Sequence, residues 1–458
     1  MRHVIVMTLT GSIGLVAIFV VDALNLFYIS RLGIAELAAA VGFASTLLFF
    51  TVSVAIGLTI ASGALVARAL GQGSREAAAR VGGASLIFVA LITAAMSAIS
   101  WPFLRPLLAL LGANGETLDL ATRFLSMILP STPIFALGMC TSGILRGVGD
   151  ARRAMYVTLG GGIATAILDP LLIFGAGLGL DGAAIANVIS RFVLLAIGLH
   201  GAVVVHGLVK LPDFSGLRTI ARPFMAIGVP AMLTQVATPV GNAYVTRAIA
   251  QFGDEAMAGW AIVGRIVPVA FGVIFALSGA VGPILGQNYG AGKYERLRTT
   301  MRDALIFTTV YVSIVWLALV IAAGPIADLF GAVGVARDVV MFFCLIAAGS
   351  FLFNGGIFVA SAAFNNLGFP IYSTVFNWGR STLGIVPFVA VGSHFYGLHG
   401  VLMGWALGAV VFGIAAVVVC FRVIGQVGKE PPPPRVGVPD PPASAQSPLS
   451  SGEAATAG

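Results

Sequence analysis

The sequence predicts an all-α membrane protein with twelve transmembrane helices in two tandem six-helix lobes. Of its 458 residues, 58% are hydrophobic and only 9% are charged, whereas a soluble domain carries about 25% charged residues. Apolar runs long enough to cross a bilayer recur twelve times, and short motifs of the first half recur in the second half. Because no soluble fold could keep so much apolar side chain away from water, the helices are predicted to lie in lipid.

Each predicted span is an apolar run of about 20 residues or more, the length that crosses the hydrocarbon core. Several runs exceed this minimum, which predicts tilted helices or helices that project beyond the lipid. The 58 glycines favour close packing between such helices. The spans are predicted at residues 4–30, 37–69, 81–104, 119–145, 153–178, 182–208, 222–250, 256–287, 299–323, 336–365, 370–393 and 397–423.

The distribution of basic residues predicts the orientation of the helices. If the amino terminus is cytoplasmic, the loops after even-numbered spans and the two termini hold 17 of the 25 Lys and Arg residues, and the opposite loops hold five. Acidic residues show no such bias, so this is the positive-inside pattern. Both termini are therefore predicted to be cytoplasmic, in an inner membrane. The net charge of +7 is explained by topology, and no nucleic-acid partner is predicted.

Four short motifs occur once in each half of the chain, in the same order and at a nearly constant offset in residue number. Six spans per half is an even number, so the two halves insert in the same orientation. A pseudo-two-fold axis along the membrane normal is therefore predicted to relate them. The four pairs of motifs begin at Arg31 and Gln251, Leu70 and Tyr289, Ile144 and Ala363, and Gly179 and Gly397.

The repeat and the composition together predict the domain boundaries. The amino-terminal lobe is expected at 1–209, a cytoplasmic linker at 210–222 and the carboxy-terminal lobe at 223–424. The remaining residues, 425–458, are rich in Pro, Ser, Ala and Gly and include the run Pro431–Pro434. A segment of this composition cannot form a core, so a disordered cytoplasmic tail is predicted.

Two carboxylates inside predicted spans are the strongest functional signals, because an acid there costs about 2.5–3.5 kcal/mol on insertion scales. Asp22 lies in the middle of the first span, and Asp169 lies in the fifth. Either these acids bind a coupling ion, or they pair with Arg191 and cap helix kinks. The polar residues predicted to accompany them are Asn25, Thr165, Asn187 and Arg191.

The second half of the chain keeps the repeat but lacks both acids. The offset places Asn242 at the position of Asp22 and Pro387 at that of Asp169, and this asymmetry indicates function rather than architecture. Arg380 has two interpretations, an anion or lipid head-group site and a clamp on carbonyls at a helix break, while Arg265 is interpreted as structural. The substrate-cavity candidates are Asn25, Arg191, Gln235, Thr238, Asn242, Asn354, Asn377 and Arg380.

No motif in the sequence indicates an enzyme. The five histidines lie near helix ends or in loops, and the three cysteines lie in apolar stretches without metal-ligand spacing. We therefore predict no catalytic residue and no cofactor. No metal site is predicted beyond Na⁺ at Asp22 and Asp169.

Three stretches of the sequence resemble the multidrug and toxic compound extrusion (MATE) family. They are VDALNLFYISRLGIAELAAAVG from Val21, LDPLLIFGAGLGLDGAAIANVISR from Leu168 and VGPILGQNYGAGKYERLR from Val281. The resemblance covers residues 4–424. Acids that one branch of the family carries in helices seven and ten are absent here, which favours a DinF-like branch.

The resemblance implies a V-shaped pair of lobes that exchanges a proton or sodium ion for an organic, often cationic, compound by alternating access. It assigns Asp22 and Asp169 to the cation site of the amino-terminal lobe, with oxygens from Thr165 and Asn187. The expected partners are a small-molecule substrate and the lipid bilayer, and a monomer is expected. The alternatives are a lipid-linked saccharide flippase of the same superfamily and a non-transporting membrane scaffold.

Overall fold

The structure is a computed structural model that describes residues 2–30, 35–212 and 214–429. Some side chains of the first two helices, including those of Asp22 and Asn25, lie outside the described part of the chain. The predicted Pro-rich tail lies outside it from residue 430 onward, and the preceding helix continues to Val427.

The described residues are almost entirely helical, and twelve long helices follow one another in the chain. The first half contains α1 (Arg2–Ser30), α2 (Ala35–Gly71), α3 (Arg75–Ser100, continued to Leu110), α4 (Gly115–Ile128 and Thr132–Val148), α5 (Ala151–Pro170) and α6 (Gly179–Leu199). The second half contains α7 (Phe214–Ala250), α8 (Asp254–Gly290), α9 (Tyr294–Leu329), α10 (Gly334–Leu345 and Phe351–Leu367), α11 (Pro370–Ser381, continued to residue 396) and α12 (residues 398–427).

The lengths of these helices confirm the predicted number of spans. Ten helical segments in the described chain are long and apolar enough to cross a membrane. The last segment, Pro370–Val427, has 58 residues, which would be about 87 Å of helix against a hydrocarbon core of about 30 Å. Its helix is broken at Gly397, where φ is 55°, so this segment forms α11 and α12. The helix α1 supplies the remaining span.

The duplication seen in the sequence is present in the backbone. Left-handed glycines, which favour tight turns at helix ends, occur at matching places in both halves, with the same offset as the sequence motifs. Two of these pairs, at the turns before α4 and α10, are not among the sequence motifs. The five pairs are Gly73 and Gly292, Gly112 and Gly331, Gly115 and Gly334, Gly149 and Gly368, and Gly179 and Gly397.

The helices pack in a pattern that repeats in the second lobe. Within the first lobe α1 packs on α5 and α2 on α4, and within the second α7 packs on α11 and α8 on α10. Between the lobes α1 packs on α8 and α2 on α7, which are equivalent contacts, while α2 and α8 pack on each other. This arrangement is that of two six-helix lobes related by a pseudo-two-fold axis that passes between α2 and α8.

The lobes meet closely at the end of the bundle that carries both chain ends, here called the terminal end. A Cβ atom on Gly71 of α2 would lie 2.1 Å from the Gln287 carbonyl oxygen of α8. A Cβ atom on Gly290 of α8 would lie 2.2 Å from the Arg68 carbonyl oxygen of α2. The repeat makes Gly71 and Gly290 equivalent positions of the two lobes, and only glycine lets these backbones touch.

Two hydrogen bonds cross between the lobes beside these glycines. The Arg68 guanidinium donates to the Asn366 carbonyl oxygen at 3.1 Å, and the Gln287 amide donates to the Gly147 carbonyl oxygen at 2.7 Å. Arg68 corresponds to Gln287, and Gly147 corresponds to Asn366, so the two bonds are also related by the pseudo-two-fold axis. We call the two glycines and the two hydrogen bonds the lobe latch.

The segment between the lobes is partly helical. Residues 214–222, which fall within the predicted linker, form the first turns of α7, whose bounds are Phe214–Ala250. Before them, the Lys210 backbone N–H donates to the Ala79 carbonyl oxygen of α3 at 3.0 Å. The connection therefore packs against α3 of the first lobe and continues into α7 of the second lobe.

A carboxylate outside the membrane spans fixes the turn between α4 and α5. Asp150 caps α5 by accepting a hydrogen bond from the Arg153 backbone N–H at 3.0 Å, and it pairs with the Arg153 guanidinium at 2.6 Å and with His206 at 2.9 Å. Burial alone would raise the pKa of the Asp150 carboxyl. The hydrogen bonds from Arg153 and His206 lower it by more, so the pKa lies below its usual value.

Replacing Gly290 with alanine is expected to destabilise the protein, because the new Cβ would overlap a backbone oxygen that cannot rotate away. Overpacking of this kind costs about 1–3 kcal/mol. Thermal unfolding of the detergent-solubilised protein should show a lower Tm than wild type. A matched control is Gly264→Ala on the same helix, where nothing lies within 4 Å of the added atom. Equal Tm values for the two variants would contradict the latch.

Replacing Asp150 with alanine is expected to cost about 1 kcal/mol at neutral pH, the usual value of a helix cap. Because the folded-state pKa is lowered, the stabilisation is present above the unfolded pKa of about 3.9 and is lost as pH falls through the folded pKa. The difference in urea midpoint between wild type and variant should therefore shrink below about pH 4. A difference that stays constant down to pH 3 would contradict this assignment.

Candidate functional site

A cleft separates the lobes above the latch, toward the end opposite the chain termini, here called the far end. On α8, Gly272 packs against Val16 of α1, whereas Val269 and Arg265 are exposed. Arg265 precedes Gly272 by two helical turns and therefore lies on the same face, toward the first lobe. This face is covered near the terminal end and open nearer the far end, which defines the cleft.

The equivalent face of α2 shows the same change from packed to exposed. Gly57 lies against Met232 of α7 in the other lobe. Two turns earlier Phe50 is 45% exposed, and Thr46 is exposed one turn beyond it. Because both central helices lose their cover at corresponding places, the lobes separate symmetrically toward the far end.

The first lobe brings the predicted face of α5 against α1. A Cβ atom on Gly14 would lie 2.3 Å from the Thr158 hydroxyl, and one on Gly162 would lie 3.3 Å from the Val21 side chain. The two helices run in the same direction, so one further turn takes α5 to Thr165 and then to Asp169. The backbone of Asp22 follows Val21 and therefore lies near the level of Gly162, about one turn before Thr165.

Asp169 and Thr165 are both buried inside the first lobe. Asp169 has no exposed surface, and Thr165 is 7% exposed and donates to the Gly161 carbonyl oxygen at 3.1 Å. A fully buried acid is expensive in a membrane protein and is usually functional. The side chains of Asp22 and Asn25 lie outside the described part of the chain, so their predicted roles stay predictions.

The sixth helix brings Asn187 to the level of the buried acid. Contacts of Gly161 with Leu194 and of Gly182 with Ile173 show that α5 and α6 run antiparallel. In this register Asp169 lies opposite the turn of α6 that carries Asn187. Asp169 and Asn187 therefore lie at the same depth on α5 and α6, Thr165 lies one turn away on α5, and the backbone of Asp22 lies on α1 near the level of Gly162.

Arg191 binds neutral oxygens. Its Nε donates to Asn187 Oδ1 at 2.9 Å, and its Nη1 donates to Ser131 Oγ at 3.1 Å and to the Ile128 carbonyl oxygen at 3.3 Å. Ile128 and Ser131 flank the break in α4, which contains Pro130, so Arg191 satisfies a carbonyl that the broken helix leaves free. Among the ion pairs found in the described residues, none includes Arg191, so the suggested pairing with an acid has no support there.

The second lobe contains a buried arginine at the predicted cavity positions. Arg380 is 6% exposed, and its guanidinium donates to Asn354 Oδ1 at 3.1 Å and to Thr238 Oγ1 at 2.9 Å. Its Nε is buried without a hydrogen-bond partner in the described structure. Arg380 therefore joins α7, α10 and α11 through side chains, and the suggestion that it holds backbone carbonyls is wrong for its described contacts.

The other predicted residues of the second lobe differ in their surroundings. Asn377 is buried and donates to Ser361 Oγ at 2.9 Å and to the Ser373 carbonyl oxygen at 2.8 Å. Gln235 is half-buried and Asn242 is exposed, and neither side chain takes part in a hydrogen bond within the described residues. The structure thus brings Thr238, Asn354 and Arg380 together, and it leaves Gln235 and Asn242 outside that cluster.

Two arginines outside the predicted cavity set lie at the cleft. Charge counting treats Arg146 as a loop residue, but its Nη1 lies 3.9 Å from the Cβ position of Gly279 on α8, in the other lobe. The sequence interpretation of Arg265 is structural, but this residue is exposed on the face of α8 that lines the cleft. Counting the basic residues of loops does not find these two arginines, because the count ignores which face of its helix each residue occupies.

The described residues contain no group of three or more His, Cys, Asp or Glu side chains that could hold a metal ion. The three cysteines, Cys140, Cys344 and Cys420, are free and buried. The polar groups of the described interior are single charged side chains, amides and hydroxyls.

Two homologous lobes, a cleft between them and buried charged side chains inside the helix bundle define a multi-pass membrane transporter. The MatE family model matches residues 12–171 and 230–391. The chain belongs to this family of membrane transporters. The two matched segments begin and end at equivalent positions of the two lobes, as the repeat requires.

Known relatives have the same overall length and fold. The chain is 29% identical over 429 residues to the FAD transporter of Shewanella oneidensis, covering 92% of this chain and 94% of the relative. It is 25% identical to the multidrug export protein MepA of Staphylococcus haemolyticus, covering 87% and 88%. A crystal structure of a mutant of the Vibrio cholerae MATE transporter VcmN superimposes with a TM-score of 0.89 at 25% identity, covering 94% and 98%.

Proposed function

We propose that this protein is a secondary active antiporter that exports an organic compound by alternating access, driven by an ion gradient. The observation that carries the proposal is the fully buried carboxylate of Asp169 in the first lobe. Its counterpart in the second lobe is Pro387, so the symmetric scaffold has an acid on one side only. An acid that the fold does not require is a strong candidate for the coupling group.

The coupling mechanism follows from the cost of charge in the lobe interior. Two carboxylates on the packed helices α1 and α5, those of Asp22 and Asp169, cannot both stay charged in poorly solvated surroundings without a cation. Uptake of an ion at this pair changes the charge between α1 and α5. Since α1 also packs on α8 of the other lobe, a change in how α1 sits against α5 biases the equilibrium between the two lobe arrangements.

The surroundings of the pair favour a proton over a sodium ion. A sodium site needs several oxygens, and the candidates are those of Asp22, Asp169, Thr165 and Asn187. Asn187 Oδ1 already accepts a hydrogen bond from Arg191 at 2.9 Å. A sodium ion bound to that oxygen would lie beside a guanidinium charge, whereas a proton on Asp169 needs no such ligand.

We further propose an inner-membrane location with both termini and the lobe latch on the cytoplasmic side. The positive-inside distribution of Lys and Arg supports this orientation. The cleft then opens to the outside, which is the arrangement that releases an exported compound. Because both lobes that line the cleft come from one chain, a monomer suffices for transport.

The relatives support export over the two alternative functions. Similarity to MepA and to the FAD transporter spans nearly the whole chain, and both of those proteins are named for transport of small molecules. A scaffold that works through its Pro-rich tail would not need a buried acid or an open cleft. A flippase is the nearer alternative in mechanism, and it differs in requiring a lipid-linked substrate.

Replacing Asp169 or Asp22 with asparagine is expected to abolish gradient-driven efflux while leaving the amount of protein in the membrane near normal. Neutralising a buried charge removes the coupling group but not the packing. Dye efflux from proteoliposomes, with pH and sodium gradients imposed one at a time, measures the loss. The double variant should be no worse than either single variant, because residues that act as a unit are non-additive.

The matched control is Asp181→Asn, which removes a carboxylate that pairs with Arg123 at the far end of the bundle. This control should keep efflux. Full gradient-driven efflux by Asp169→Asn at normal abundance would remove this residue from the mechanism. Efflux driven by a sodium gradient alone would contradict the choice of the proton.

A further inference from the structure

Arg146 is a cation at the floor of the cleft without a described partner. It lies at the end of α4, next to Gly147, which accepts one of the hydrogen bonds of the lobe latch. Its side chain reaches α8 of the other lobe, where Cδ and Nη1 lie 3.8 and 3.9 Å from the Cβ position of Gly279. Among the described residues, the Arg146 side chain takes part in no hydrogen bond, ion pair or ring contact; its backbone carbonyl accepts a hydrogen bond from the Gly149 N–H at 2.9 Å.

Arg265 is a second such cation, nearer the mouth of the cleft. It precedes Gly279 on the same helix by about 21 Å, which is nearly four whole turns. It therefore lies on the face of α8 that contacts Arg146, but farther from the latch. Arg265 is exposed, and among the described residues it also has no hydrogen-bond or ion-pair partner.

The charges of the interior are strongly unbalanced. Among the described side chains in the cleft and lobe interiors, the positive groups outnumber the interior carboxylate, which belongs to Asp169. Even with Asp22 counted as a second ionised acid, the positive charges remain in excess. The arginines are Arg68, Arg146, Arg191, Arg265 and Arg380.

An unpaired arginine in a membrane interior is costly, and such residues mark the paths of ions and substrates. The guanidinium group presents a planar fork of donors that matches the oxygens of a phosphate or carboxylate. Arg68, Arg191 and Arg380 direct their donors to protein oxygens. Arg146 and Arg265 instead keep their donors available at two depths of one cleft.

We propose that the exported compound is an organic anion, and that its phosphate or carboxylate group binds Arg146 at the floor of the cleft and Arg265 nearer the mouth. This inference deepens the proposed function and rests on it. Arg146 comes from the first lobe and Arg265 from the second, so both lobes contribute to recognition. An anion of mononucleotide size contacts the two groups in turn as it leaves, since about 21 Å of α8 separates Arg265 from the level of Arg146.

The test compares two flavins that share a fluorescent ring and differ in charge, together with a fluorescent cation of a different ring system. Riboflavin and flavin mononucleotide differ by one phosphate, and ethidium supplies a cation. Binding to the detergent-solubilised full chain is measured by fluorescence titration, so the result does not depend on coupling. Wild type is expected to bind the mononucleotide at least about tenfold more tightly than riboflavin, because a hydrogen bond to a charged group contributes about that factor in affinity. It is expected to bind ethidium weakly. A carboxylate-bearing dye replaces the mononucleotide in a parallel titration to distinguish the two oxyanions.

The variants Arg146→Gln and Arg265→Gln are each expected to weaken binding of the mononucleotide about tenfold and to leave riboflavin binding unchanged. Arg146→Lys should recover part of the loss, because it restores the charge without the fork. The control Arg337→Gln removes an arginine that pairs with Asp328 outside the cleft, and it should bind like wild type.

A second pair of variants tests the site without changing any charge. Gly279→Leu places a side chain beside the Arg146 guanidinium and should weaken binding of the mononucleotide selectively. Gly264→Leu adds the same side chain on the same helix where nothing lies within 4 Å, and it should not. This pair keeps the test valid if an arginine variant fails to fold.

Three outcomes would overturn the proposal. They are equal binding of riboflavin and the mononucleotide, tighter binding of ethidium than of either flavin, and equal losses for both flavins in Arg146→Gln. Failure of the proposed function is distinguishable. If Asp169→Asn keeps full gradient-driven efflux but the mononucleotide binding pattern holds, the coupling mechanism is wrong and the anion site stands.

Discussion

The contact between α2 and α8 at the lobe latch is the constraint on which the rest of the structure depends. Gly71 and Gly290 allow two helix backbones to touch across the pseudo-two-fold axis, and no larger residue could occupy either place without moving a lobe. Because this contact is confined to the terminal end, the same two helices can separate toward the far end. The latch therefore produces both the closed floor of the cleft and its open mouth. Alternating access requires that this contact break, and the groups that hold it include the two hydrogen bonds, the glycine packing and the Arg68 guanidinium, which lies over the Tyr289 ring at 5.0 Å.

Function arises where the two lobes depart from their symmetry. The backbone of one lobe repeats in the other down to the left-handed glycines of the turns, but the chemically active side chains do not repeat. The buried acid of Asp169 has Pro387 as its counterpart, and the cleft arginine Arg146 has Asn365. In the proposed mechanism, the first lobe therefore takes up an ion without a matching event in the second. Separate locations for the proposed coupling acid and the cleft arginines would also allow ion and substrate to bind without sharing a ligand.

Much of the fold could be predicted from the sequence, because membrane helices are specified by local properties. Apolar length and turn glycines can be read from one segment at a time, and they predict the twelve spans. The repeat offset is found by comparing the two halves, and it predicts the pseudo-symmetry. The site was only partly predictable, because it depends on which helix faces meet. The burial of Asp169 follows from its position in a span, whereas the neutral partners of Arg191 depend on a break in α4. Arg146 escapes prediction because it lies close to the end of α4, where charge counting treats it as a loop residue, and only the approach of α8 shows that it faces the other lobe.

The central claim is that the charge state of Asp169 controls whether the cleft is open at its far end. A cysteine in place of Val269 reports this directly, because Val269 is 72% exposed on the cleft face of α8 and the native cysteines are buried. The measurement is the rate at which a membrane-impermeant thiol reagent, added outside right-side-out vesicles, labels this cysteine at pH 5 and pH 8. The account predicts a severalfold difference in rate between the two pH values when Asp169 is present, and no difference in Asp169→Asn. The same pH dependence with and without the carboxylate would contradict it.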